Sequence, residues 1–260
     1  MNFKDLDKAM RGRELYHRTV VPPGKWIILR MDGRSFSTLT RDRFQKPFDS
    51  EFREYMMEAA RIVLEEFSGA YVYTESDEIS LLLLPENQIF DRELEKLVSV
   101  SASLAASAFT RRSNHQVSFD SRIWVGDSKA DVLDYFAWRM ADAERCGLNS
   151  YAYYALLDQK HSAHAVSKML LRKTSEWKKA AIKERWKIDF DIQVPAWQKR
   201  GSGISFERYE KEGSNPVKKV AVRAIRYRLK EEIALPRGDD YAGYLSDDIL
   251  AASQRASERA

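Results

Sequence analysis

The spacing of apolar residues changes several times along the chain, and each change marks an element. Trp26-Ile27-Ile28-Leu29-Arg30-Met31 is a short, nearly continuous apolar run and predicts a buried strand that ends in Asp32-Gly33-Arg34-Ser35-Phe36. Between Phe48 and Phe67, the residues Phe52, Met56, Ala59, Val63 and Phe67 recur at spacings of 4, 3, 4 and 4, which predicts a helix with one apolar stripe. Ala70-Tyr71-Val72-Tyr73 and Ile79 to Leu84 predict a hairpin with Thr74-Glu75-Ser76-Asp77-Glu78 at its turn. A second helix is expected from about Phe90 to Arg111, where the small residues of Ser101 to Ala108 permit close packing on a sheet. A fourth strand follows near Val117 to Val125.

The resulting β-α-β-β-α-β order is the ferredoxin-like or split βαβ arrangement. The fold class expected is therefore α+β, an antiparallel sheet with helices on one face and an appended helical and hairpin C-terminal part. In that appended part, Ala130 to Gln159 reads as helix broken at Cys146-Gly147-Leu148-Asn149, and residues 160 to 187 read as basic helix. Pro195, Gly201 and Gly203 mark a loop. Lys218 to Leu229 alternates like a strand, and Pro236 to Ala260 reads as a polar, frayed tail. The expected division is 1–135 for a catalytic part, 136–235 for a helical and hairpin extension that contacts the substrate, and 236–260 for the tail.

This order places candidate chemistry at one sheet edge. The first strand and the hairpin turn end on neighbouring central strands, and adjacent strands lie about 5 Å apart. Asp32 and the Asp77-Glu78 pair should therefore converge. Carboxylates so placed can share hard cations with nucleotide phosphates, the arrangement used in two-cation phosphoryl transfer. Asp and Gly after a strand are also ordinary turn residues, so the pattern by itself allows both readings.

Charge adds a polyanionic partner to the picture. From Lys168 to Arg200 there are ten Lys or Arg against four Asp or Glu, while Glu231 to Ala260 carries seven acids and three bases. A basic middle beside an acidic end suits contact with nucleic acid through one face. Cys146 is the single cysteine, which excludes an intramolecular disulfide and points to a packed thiol in a reducing, cytoplasmic setting. The N-terminus has no signal-peptide core, and no apolar run reaches the roughly 18 residues of a membrane span. His161 and His164 share a helical spacing without further ligands nearby, and the cluster Tyr151, Tyr153, Tyr154 suits packing or base stacking.

Arg30-Met31-Asp32-Gly33-Arg34-Ser35-Phe36, Lys46-Pro47-Phe48-Asp49 and Glu75-Ser76-Asp77-Glu78-Ile79-Ser80 together resemble the motifs of the histidine-tRNA guanylyltransferase family. The resemblance runs on through Phe119-Asp120-Ser121-Arg122 and Pro195 to Gly201 and covers roughly residues 3 to 205. It implies a polymerase-palm-type sheet and nucleotide addition in the 3′–5′ direction. A 5′-monophosphorylated tRNA end is activated with ATP or GTP, and the 3′-hydroxyl of an incoming nucleoside triphosphate then attacks it. Two Mg²⁺ ions are implied, with Asp32, Gly33 (through its carbonyl) and Asp77 as ligands and Glu78 beside them. Catalysis is thus assigned to Asp32, Asp77 and Glu78. Nucleotide binding is assigned to Asp32, Gly33, Arg34, Ser35, Phe36, Ser37, Lys46, Ser76, Asp77, Arg92 and Lys96.

Contacts with tRNA are expected from the basic segment: Lys168, Arg172, Lys173, Lys178, Lys179, Lys183, Arg185, Lys187, Lys199 and Arg200. The resemblance also implies a homotetramer. Two departures from the family pattern stand out. Gly147 to Tyr153 stands where eukaryotic members carry His-Ile-Asn-Asn-Leu-Tyr-Asn, and Arg92 is followed by Glu93 in place of a second arginine. The first departure resembles the bacterial, archaeal and phage "like" proteins. The expected function is accordingly template-dependent 3′–5′ repair of truncated tRNA 5′ ends. The alternatives are guanylate addition to histidine tRNA and, from another class, a non-catalytic tRNA- and nucleotide-binding module.

Overall fold

The computed structural model describes residues 2–157, 161–215 and 220–250. Along the chain run α1 (Phe3–Arg11), β1 (Trp26–Gly33), α2 (Phe36–Arg43), α3 (Ser50–Glu66), β2 (Tyr71–Glu75), β3 (Glu78–Leu83), α4 (Leu94–Ser113) and β4 (Phe119–Gly126). Then come α5 (Lys129–Leu157), α6 (Ala163–Leu170), α7 (Ser175–Trp186), α8 (Phe190–Gln193), α9 (Ala196–Arg200), β5 (Ser202–Asn215), β6 (Val220–Glu232) and α10 (Gly238–Gly243), and last a wide π-helical turn over Tyr244–Leu250. The strands form one antiparallel sheet in the order β4-β1-β3-β2-β5-β6. Its first four strands are the ferredoxin-like unit that the apolar pattern predicts, and the β5–β6 hairpin widens it from the β2 edge.

Strand alternation divides the interior into two layers. Ile27, Leu29 and Met31 of β1 join Ile79, Leu81 and Leu83 of β3 in a core with Met56, Ala59, Val63, Ala105 and Phe109 of α3 and α4. Asp49 caps α3 through its carboxylate, which accepts the backbone N–H groups of Glu51 at 2.8 Å and Phe52 at 3.0 Å. The small residues of α4 do pack closely, and Ser101 Oγ lies 2.9 Å from Ser121 Oγ on β4. On the opposite face, Trp26, Ile28, Tyr71, Tyr73 and Leu82 meet Val132, Tyr135, Phe136 and Met140 of α5. The appended part therefore covers the face that α3 and α4 leave free.

Two sequence expectations are corrected here. No break occurs at 146–149, because α5 is continuous from Lys129 to Leu157. Gly147 serves an approach rather than a turn: a Cβ there would meet Gln198 O at 2.7 Å, so only glycine lets α9 come so near. Nor is 236–250 a frayed tail. Tyr241, Leu245, Ile249 and Leu250 are buried in the second core, and the Tyr241 hydroxyl lies 3.2 Å from that of Tyr71. Four apolar side chains at suitable spacing outweigh the polar residues between them. Residues 251–260, the rest of the expected tail, lie outside the described residues. No helix among the described residues is long and apolar enough to cross a membrane.

Candidate active site

The end of β1 and the β2–β3 turn meet as the topology requires. Asp32 is the register partner of Glu78 on β3 and of Asp120 on β4, and the Gly33 N–H donates to Asp77 O at 2.9 Å. Burial pushes both carboxyls up, with the charge of Asp120 added at Asp32 and the charge of Asp32 added at Asp77. Such crowding of like charge is the environment that a hard cation relieves. Among the described residues no group of three or more His, Cys, Asp or Glu forms a complete cation cage. A pair of carboxylates with few other protein ligands suits Mg²⁺, which commonly completes its shell with water and substrate phosphates.

Beside Asp77 opens a cavity of about 290 Å³ lined by Ser37, Lys46, Ser76, Cys146, Tyr154 and Trp197, among others. Lys46 is half-buried, and burial together with the charge of Arg41 holds its ammonium below the usual lysine range. An ammonium under those conditions gains from a polyphosphate partner. Ser76 adopts φ 48°, the left-handed conformation that reverses the chain in the two residues between β2 and β3. Arg34 and Ser35 face a second cavity of about 380 Å³ bounded by Gln116 and Ser118. Phe36 separates the two, buried against Phe109 and Phe119 with both ring centroids at 5.1 Å.

The structure does not bring Arg92 or Lys96 to this edge. Arg92 is 2% exposed and donates to four backbone carbonyls: Val21 at 3.2 Å, Pro85 at 3.2 Å, Asn87 at 2.9 Å and Lys25 at 2.7 Å. It braces the entry to β1, about 23 Å from Asp32 by strand rise. Burial of an arginine whose three side-chain nitrogens all donate to backbone carbonyls corrects its assignment to nucleotide phosphate. Lys96 belongs to the first turn of α4 at that same end and pairs with Glu93 at 2.6 Å.

The basic segment is distributed over several elements. Lys168 lies in the last turn of α6, Arg172 and Lys173 occupy the following turn, and Lys178, Lys179, Lys183 and Arg185 ride on α7, with Lys187 as its C-cap. Lys179 pairs with Asp191 at 2.8 Å and Lys183 with Asp189 at 3.3 Å. Lys199 donates to Asp191 O at 2.7 Å, and Arg200 to Leu235 O at 2.9 Å. A cavity of about 470 Å³ gathers Lys178, Lys179, Lys199 and Arg200 with Arg145 and Arg237 against Glu144 and Asp191. His161 and His164 are exposed. Tyr151 packs among Phe48, Trp186 and Phe190, while Tyr154 and Cys146 line the nucleotide-sized cavity.

Sequence reasoning missed a charged cluster under the acidic turn. Arg139 of α5 is 5% exposed and donates to Glu78 at 2.7 and 2.9 Å, to Glu75 at 3.3 Å and to Asp142 at 3.1 Å. Burial, with the neighbouring charge of Glu78, lifts the Glu75 carboxyl to about 8. The signal was present: Arg139 follows Tyr135 and Phe136 by four and three residues and precedes Ala143 by four, so a charge sits on an apolar stripe.

Comparison with known proteins decides the family. A profile described as "Thg1: tRNAHis guanylyltransferase" matches residues 7–138, the stretch that holds Asp32, Lys46 and Asp77. This chain belongs to the tRNAHis guanylyltransferase family. It is accordingly a nucleotidyltransferase. A probable tRNA(His) guanylyltransferase of Dictyostelium discoideum is 31% identical over 191 residues, covering 69% of this chain and 74% of the relative. One of Drosophila melanogaster is 28% identical over 191 residues, and the match spans 66% of that protein. Among solved structures, a bacterial Thg1-like protein in complex with ATP superposes with TM-score 0.75 at 24% identity, covering 94% of this chain and 99% of that one. The guanylyltransferase of Saccharomyces cerevisiae gives 0.69 at 22% identity, covering 75% and 91%. Both share the fold of this family member.

Proposed function

We propose that this chain adds guanylate in the 3′–5′ direction to the 5′ end of histidine tRNA. The observation that carries the reading is the meeting of Asp32 and Asp77 at the end of β1, with Asp77 and Lys46 in the wall of one nucleotide-sized cavity. Family membership supports reading that pair as part of a guanylyltransferase site, and the curated relatives bear the histidine-tRNA name. This reading stands ahead of templated repair, which the sequence pattern alone favoured.

In this reading Lys46, Ser37 and Ser76 hold the nucleoside triphosphate, and Arg34 and Ser35 serve the neighbouring cavity. Asp32, Asp77 and the Gly33 carbonyl would hold Mg²⁺, which when bound lowers the pKa of an attacking hydroxyl and screens phosphate charge. The basic face of α7 and α9 takes the tRNA backbone and positions the end without reading its sequence. The same family resemblance supports assembly as a homotetramer.

Repair of truncated tRNA is the second reading, and one contact favours it. Gly147 opens the segment that departs from the eukaryotic pattern, and Gln198 O leaves no room there for a histidine side chain. Both readings are tested with labelled GTP, ATP and Mg²⁺ on 5′-monophosphorylated histidine tRNA, beside all four nucleotides on a 5′-triphosphorylated tRNA lacking its first residue. Guanylate added only to the former supports the first reading. Incorporation only of the nucleotide complementary to the acceptor strand supports repair. Asp77→Ala should remove incorporation with tRNA affinity kept within threefold, and no incorporation by the unaltered chain would leave a binding module.

A further inference from the structure

The turn that carries Asp77 is two residues long, Ser76-Asp77, and its flanking residues Glu75 and Glu78 are register partners across β2 and β3. Both of those side chains reach the same guanidinium. Arg139 donates Nε to Glu78 Oε1 at 2.7 Å and Nη2 to Glu78 Oε2 at 2.9 Å, and the same Nη2 lies 3.3 Å from Glu75 Oε1. We propose that Arg139 is a positioning residue: from α5 it clamps both sides of the turn that presents Asp77, and it holds Glu78 out of cation ligation.

Three features carry this beyond an ordinary buried ion pair. First, the bond to Glu78 is bidentate, so it fixes the orientation of that carboxylate as well as its place. Both oxygens of Glu78 are engaged, and Ser80 Oγ donates to Oε1 at 3.4 Å, which leaves Asp32 and Asp77 as the pair free for a cation. Secondly, Arg139 is itself fixed. Asp142 one turn along α5 accepts from it at 3.1 Å, and the Trp138 ring lies 4.6 Å from its guanidinium carbon. Thirdly, Arg30 stands 3.9 Å from Glu78 Oε2 and packs on the same Trp138 ring, so β1 joins α5 and β3 in one charge layer. Asp77 O accepts the Gly33 N–H at 2.9 Å, so displacement of the turn also moves Asp77 relative to Asp32.

Lysine is the informative replacement, because it keeps the charge and the stem but cannot bridge two carboxylates in a fixed plane. The proposal rests on the two-carboxylate reading above, and the test separates their failures. Mn²⁺ binding is followed by electron paramagnetic resonance on the whole chain with a non-reactive GTP analogue, and amide exchange is followed at residues 76–78. For Arg139→Lys the half-saturating Mn²⁺ should rise at least fivefold, and exchange at the turn should quicken at least tenfold. The kcat of guanylate transfer should fall while KM for GTP stays within threefold. Glu75→Ala removes one arm of the clamp and leaves the Arg139–Glu78 pair, so it should move each quantity in the same direction by less; it serves if the lysine variant does not fold. A lower melting temperature with unchanged Mn²⁺ affinity and turn exchange would make Arg139 merely structural and overturn the proposal. If the unaltered chain binds no Mn²⁺ beside nucleotide, the two-carboxylate reading falls and this inference with it.

Discussion

Gly33→Ala tests how closely the site depends on packing beneath it. Gly33 ends β1 beside Asp32, and an added methyl would lie 2.6 to 2.8 Å from three carbons of the Phe36 ring. That ring has little room to retreat, because Phe52, Phe109 and Phe119 surround it with centroids at 5.9, 5.1 and 5.1 Å. Overpacking of a core at this level costs about 1–3 kcal/mol. For a domain of this size each kcal/mol lowers Tm by roughly 2–4 °C, so a fall of about 2–12 °C is expected. The strain also bears on the bond from the Gly33 N–H to Asp77 O, so transfer should slow by more than the stability loss explains. Differential scanning calorimetry and single-turnover guanylate transfer give the two readouts. The companion variant Gly33→Ala/Phe36→Leu frees space and should recover at least half of the lost stability, a coupling that distant sites would not show. A melting temperature within 1 °C of the parent for Gly33→Ala alone, or two strictly additive substitutions, would refute the argument from ring contact.

Other consequences follow from the same geometry. Glu75 holds its proton to about pH 8 in the folded chain but only to the ordinary carboxylate range when unfolded. Its contribution to stability is therefore complete below about pH 4.5 and is lost as pH rises toward 8, with a slope of at most ~1.4 kcal/mol per pH unit. Urea midpoints at pH 5, 6.5 and 8 should fall more steeply for the parent than for Glu75→Gln, and parallel profiles would count against a buried protonated Glu75. Affinity for tRNA should weaken sharply with salt, and Lys178→Ala should reduce the log–log slope by roughly one without changing which tRNA is chosen; an unchanged slope would move the RNA to another face. Leu245→Ala should cost about 2–5 kcal/mol by denaturant titration, since Leu245 is 1% exposed in the second core. A cost under 0.5 kcal/mol would return that segment to the status of a tail.

The ferredoxin-like half was legible because its signals are local. Apolar runs at β1, β2 and β3, the α3 stripe and the small residues of α4 each declare an element, and their order leaves one topology in which Asp32 and Asp77 can meet. Lys46 and the turn serines were legible only through family motifs, since nothing in their spacing separates a phosphate ligand from an exposed polar residue. Arg92 shows the limit of that route, because its neighbours in the chain do not reveal the four carbonyls that enclose it.

By itself, then, the sequence determined the arrangement of the first four strands and the meeting of two carboxylates, through periods of two and of about 3.6 residues that burial imposes on any chain. The tertiary structure alone decided that α5 runs unbroken past Gly147, that Leu245 and its neighbours close the second core, and that Arg139 grips the turn beneath Asp77. Those outcomes depend on contacts between residues 50 to 170 positions apart. The energy of such contacts comes from fit and from desolvated charge, and neither has a period that a linear pattern can carry.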